Sequence, residues 1–135
     1  MHNIDYTFGK RSESLNLPIF QNYFNCLSLK ESPKKTSIFD FESENIFIEL
    51  KTRRCLSSTY KDTMIGMNKI EFAEKNSDKD FYFCFQFLDG LFYWKFNVEE
   101  KENLRFGKGG RWDRGKNEIK DYCYIPVHLL NNITI

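Results

Sequence analysis

The chain has 135 residues, 29% of them charged and 41% hydrophobic, with 20 basic side chains against 19 acidic ones. That size and balance suit one domain, residues 1–135, with a single core, and exclude a chain disordered by composition or one drawn to polyanions by net charge. No apolar run approaches the ~20 residues that cross a bilayer, and the N-terminal stretch lacks a secretory core, so an intracellular, soluble protein is expected.

Residues Phe8 to Phe24 carry Leu15, Leu17, Ile19, Phe20, Tyr23 and Phe24 at mostly helical spacing. Pro18 inside this pattern suggests two short helices meeting near Asn16 to Pro18. A polar connection, Lys30 to Ser37, leads to two alternating runs, Ile38 to Glu42 and Ile46 to Lys51, read as a strand hairpin turned at Ser43, Glu44 and Asn45. The segment from Thr63 to Lys75 reads as a helix with its basic end near Lys75. FYFCFQF and LFYWKF flank Leu88, Asp89 and Gly90, the clearest hairpin of the chain. A Gly-rich basic loop, Gly107 to Lys116, precedes a short strand near Tyr122 to Ile125 and a helical turn at His128 to Leu130. The order is that of an α/β domain, a mixed sheet of about four to five strands flanked by helices. Aromatic residues, 17% of the chain, favour a sheet. Cys26, Cys55, Cys84 and Cys123 show no close pairing and read as four buried thiols.

The second run of the first hairpin raises a question of chemistry. Residues two apart in a strand share a face, so Glu49 and Lys51 point one way while Ile48 and Leu50 fill a core on the other. Asp40 joins the Glu49 face only if paired residue numbers in the hairpin sum to an odd value. Sums of 87 and 89 both achieve this, and a three-residue turn does not. Two carboxylates held so close repel unless a cation sits between them. Magnesium suits such a pair together with a backbone carbonyl such as that of Leu50, leaving room for a phosphate and a water. Lys51 could then orient or deprotonate that water, or neutralise charge on phosphorus. A solvated pair on an exposed sheet face is the bland alternative.

Asp40 followed by Glu49-Leu50-Lys51 resembles the site of the PD-(D/E)XK nuclease superfamily, with Phe39 standing where the name-giving proline would be. Gly9 followed by Glu13 looks like that superfamily's leading glycine and helical glutamate. The resemblance implies a restriction endonuclease-like core over roughly Phe8 to Phe96 and metal-dependent phosphodiester hydrolysis. Asp40, Glu49 and the Leu50 carbonyl would hold Mg2+, with Mn2+ able to substitute, and Glu13 would be an outer acid. The helix after Glu-x-Lys would supply one more polar residue, Lys69 or its competitor Asn68.

Arg53 and Arg54 leave this site on its basic side, and Lys108, Arg111, Arg114 and Lys116 surround Trp112. Arg beside an aromatic can hold a phosphate and stack on an exposed base. The reading is a DNA nuclease, endonuclease favoured over exonuclease, with a homodimer and structure selectivity such as junction or flap cleavage both compatible. A composition rich in Asn, Lys, Ile and Phe suggests a viral or phage source. The alternative is a catalytically inactive nuclease-fold module for nucleic-acid binding or assembly. RNA stays open as a substrate, because no device for reading the 2′-hydroxyl is visible.

Overall fold

The computed structural model describes residues 2–33, 37–110 and 119–133, with side chains from residue 13 onward except those of residues 110 and 119. Among the described residues a long helix, α1 (His2–Tyr23), precedes β1 (Lys30–Glu31), β2 (Phe41–Glu42), β3 (Ile46–Thr52) and β4 (Asp62–Gly66). Helix α2 (Met67–Lys75), β5 (Asp80–Phe87), β6 (Gly90–Lys95) and the short α3 (Val98–Lys101) follow. The chain continues through β7 (Arg105–Gly110), β8 (Ile119–Pro126), a 3-10 turn (Val127–Leu129) and β9 (Asn131–Asn132). One sheet runs β1-β2-β3-β5-β6-β9 and a second runs β4-β8-β7. The mixed α/β class is as expected, but the strands exceed the expected four to five.

The extra strands have an identifiable origin. Thr63 to Gly66, expected to open a helix, lie in β4 against β8, and the helix begins only at Met67. Gly66 is extended (φ −60°, ψ 139°) and ends the strand. The alternating burial of Thr63 and Ile65 is a period-2 signal too short to read beside the helical pattern that follows. Likewise Gly107 to Gly110, expected as loop, pair with β8 from Tyr122 to Ile119.

Helix α1 is one helix with Pro18 inside it, rather than two. Pro18 is exposed while Leu17, Ile19, Phe20 and Phe24 pack against the sheet, so packing outweighs the backbone hydrogen bond that proline cannot donate. The Leu88–Asp89 turn forms as expected, with Gly90 at φ +156°, a value side chains rarely allow. All four cysteines are free thiols, but only Cys84 and Cys123 are buried.

β3 and β5 run parallel at the centre of the large sheet, joined by a crossover through β4 and α2, while its other pairs are antiparallel. The sheet separates two apolar clusters. On one side Phe20 and Leu29 pack with Phe41, Ile48, Leu50, Cys84 and Leu91. On the other, Phe39, Phe81, Phe83, Phe85 and Trp94 pack with Ile70 of α2 and with Ile65, Cys123 and Ile125 of the second sheet. Central strands of this kind are sealed on both faces, which is why FYFCFQF is a nearly continuous apolar run.

Candidate active site

The hairpin of β2 and β3 pairs Phe41 with Ile48 and Glu42 with Phe47, the register of sum 89. Ser43 fixes it: its N–H donates to the Ile46 carbonyl (2.8 Å), and its hydroxyl accepts from the Ile46 N–H (3.0 Å). Carried one step further, this register sets Asp40 opposite Glu49, and the Asp40 N–H donates to the Ile48 carbonyl (3.0 Å). β2 stops short of Asp40, so the Asp40 side chain takes over the ladder: its Oδ2 accepts the Leu50 N–H at 2.8 Å. In a strand the N–H and C=O of one residue point to the same edge, so the Leu50 carbonyl emerges beside Asp40.

Glu49 faces the second apolar cluster, opposite Phe83 of β5, and is only 3% exposed. Its Oε2 lies 3.6 Å from Lys51 Nζ and 3.4 Å from Lys69 Nζ. Lys69 stands on α2, donates to the Ile38 carbonyl, and rests 5.7 Å from the centre of the Phe39 ring. Burial, joined by a hydrogen bond with Asp40, pushes the Glu49 carboxyl up to about 8, and the two lysines only partly oppose this. A hydrogen bond between two carboxyl groups requires a shared proton. The pair therefore has a place for one positive charge between its oxygens. Its donors are all hard oxygens, which match a magnesium-like cation better than a softer metal.

Asp40, Glu49, Lys51 and Lys69 thus meet at one place, with the Leu50 backbone beside them. Lys69 reaches Glu49, while Asn68 is exposed and turns back toward Gly66. Glu13 is half-buried on α1, one turn before Asn16, whose amide donates to Gln86 of β5 (3.3 Å). Among the described residues no group of three or more His, Cys, Asp or Glu forms a metal-holding cluster. Arg53 Nη2 donates to the Met64 carbonyl (3.1 Å), bracing β3 against β4, and burial lowers its pKa. Arg54 is exposed. Lys108 lies on β7 rather than in a loop and pairs with Asp121 at 3.2 Å. Arg111, Trp112, Arg114 and Lys116 lie outside the described residues. Sequence reasoning missed the support given to Lys69 by the Ile38 carbonyl and Phe39. A backbone carbonyl leaves no compositional signal, and Phe39 reads as an ordinary strand residue.

A family model described as "Phage putative PDDEXK endonuclease" matches residues 34–133. The chain belongs to this family. The match spans Asp40, Glu49, Lys51 and Lys69 and leaves Glu13 outside it. The PD-(D/E)XK resemblance read from Asp40 and Glu49-Leu50-Lys51 is therefore shown at family level. No curated protein matches the chain, and no helix among the described residues is long and apolar enough to cross a membrane.

Proposed function

We propose that this chain hydrolyses DNA phosphodiester bonds with a divalent cation, Mg2+ or Mn2+ in its place, held by Asp40, Glu49 and the Leu50 carbonyl. The observation that carries this reading is the buried Glu49 carboxyl in hydrogen-bonding contact with Asp40 and flanked by two lysines. Burying two acids together destabilises a fold unless something positive joins them, and a site for chemistry supplies a reason to keep them. When bound, such an ion supplies Lewis acidity and charge neutralisation at phosphorus.

The remaining roles belong to the chain. The Leu50 N–H holds Asp40 in one orientation. Lys69, anchored to α2 and the Ile38 carbonyl, positions Glu49. Lys51 is 39% exposed, the more open of the two lysines, so it is the one placed to contact the attacking water or a phosphate oxygen. Glu13 serves as an outer acid from α1. Arg54, Lys108, Arg111, Trp112, Arg114 and Lys116 extend the DNA-binding edge, and Arg53 contributes its charge from a braced position. The enzyme cuts internally, at junctions or flaps, as a soluble protein inside an infected cell. A homodimer would provide a second site and more DNA contact.

Supercoiled plasmid, linear duplex, four-way junction, flap, single strand and RNA incubated with Mg2+ or Mn2+ test this reading. Wild type is expected to cleave DNA, and Asp40→Ala is expected not to. Binding that survives Lys51→Ala without any turnover would assign an inactive nuclease-fold module instead.

A further inference from the structure

Glu49, Lys51 and Arg53 follow one another at every second residue on the same side of the sheet, and beyond Arg53 the surface opens into a pocket of about 320 Å3. Its walls are mainly apolar, built from Cys55, Met64, Phe87 and Val127, with Tyr60 at the mouth. Its volume is at the small end of the ~300–1,000 Å3 of ligand pockets, so it admits one small ring system and excludes a duplex. The loop forming the outer wall is held in place. The Ser57 N–H and hydroxyl donate to the two Asp89 carboxylate oxygens (2.8 and 2.6 Å), and the Leu88 N–H donates to the Cys55 carbonyl (2.9 Å). Tyr60 on that loop is 69% exposed. Tyr124, also in the lining, already carries the Arg105 guanidinium 3.9 Å from its ring centre.

We propose that this pocket seats a single unpaired nucleobase of the DNA substrate, stacked on Tyr60, while Arg53 and Lys51 lie along the adjoining backbone. The proposal rests on the nuclease reading and names its substrate class: DNA with at least one nucleotide out of the duplex. Three observations select this occupant. The pocket continues the row of the candidate site, and Lys51 to Arg53 spans ~7 Å of extended chain, one step along a phosphate backbone. Arg53 lines the pocket and the exposed Arg54 follows it in the chain, a local basicity that suits an anionic strand. Two of the polar side chains lining it already hold partners, Ser57 with Asp89 and Asp62 with Arg105 at 3.2 Å, and most of the remaining wall is apolar. The pocket therefore accepts any flat base by stacking and does not read its edge.

The test compares a duplex bearing a short single-stranded flap with the same duplex whose flap consists of abasic tetrahydrofuran residues, so that charge is equal and only the bases differ. Anisotropy binding in chelator with the Asp40→Asn chain reads the pocket without turnover. Base-bearing flap is expected to bind on the order of 5- to 150-fold tighter, the range of base–aromatic stacking. Tyr60→Ala in the same background should bring the two affinities within about twofold, and Tyr60→Trp should restore the preference. Equal affinity for the two flaps, a ratio unmoved by Tyr60→Ala, or no binding to either flap overturns the proposal. Wild-type cleavage is scored separately. A binding preference without cleavage sinks hydrolysis and leaves the pocket, whereas cleavage at equal rates on both flaps sinks the pocket and leaves hydrolysis.

Discussion

The two faces of β3 are built from alternate residues of one short segment and are buried to a similar depth, yet they do opposite things. Ile48 is fully buried and Leu50 6% exposed among Phe20, Phe41 and Cys84, an apolar interior that stabilises by removing area from water. Glu49, at 3% exposure, sits among Phe83 and its neighbours as a carboxyl that water would solvate far better. The first face holds the strand in place, and the second uses that rigidity to hold a group where it is costly to keep it. Apolar packing and the candidate site thus occupy opposite sides of the same strand.

Breaking the charged face should show the largest effect on activity. Asp40→Asn keeps the Leu50 hydrogen bond within reach of a side-chain oxygen but removes a charge, so cleavage is expected to fall by on the order of 10³-fold or more with the melting temperature little changed. Breaking the apolar face should do the reverse. Phe20→Ala empties a fully buried ring site between α1 and the sheet, and chemical denaturation should report a loss of about 3–5 kcal/mol, with activity per folded molecule retained.

A finer distinction comes from pH. The fold pushes the Glu49 carboxyl up to about 8 from an ordinary value of 4.5, so between those values the fold binds a proton that the unfolded chain has released. Its contribution is fully present below about 4.5 and is lost as pH rises to 8. Glu49→Gln does not titrate. In chelator its stability should therefore exceed that of wild type by a margin that grows from pH 5 to 8 and then levels off, at most a few kcal/mol, read as melting temperature against pH. A flat difference would show that Glu49 is solvated. The smallest expected effect is that of Lys69→Gln, which removes a positioning charge and leaves Asp40 and Glu49 intact. Cleavage should drop by about 10- to 100-fold with a shifted pH profile, and Lys69→Arg should recover part of it.

Much of this site was legible in order of residues. Asp40, Glu49 and Lys51 could be named because a period of two assigns faces, and because turn chemistry at Ser43 to Asn45 limits the registers. Lys69 could only be nominated alongside Asn68, since neighbouring helical residues differ by a rotation that nothing local decides. The surface was read less well. Lys108 looked like loop because Gly107, Gly109 and Gly110 carry no strand propensity, yet β8 supplies the pairing that places them in a sheet.

Alternation, turn residues and the Glu-x-Lys spacing determined by themselves that β3 has one apolar and one charged face, and that a carboxylate pair belongs to the latter. Tertiary structure alone decided which register the hairpin takes, that Thr63 to Gly66 join a second sheet, that α1 continues through Pro18, and that Lys69 rather than Asn68 reaches Glu49. The physical reason is range: side-chain facing follows from the chain's local geometry, whereas pairing, burial and charge contacts depend on which distant segment arrives to complete them.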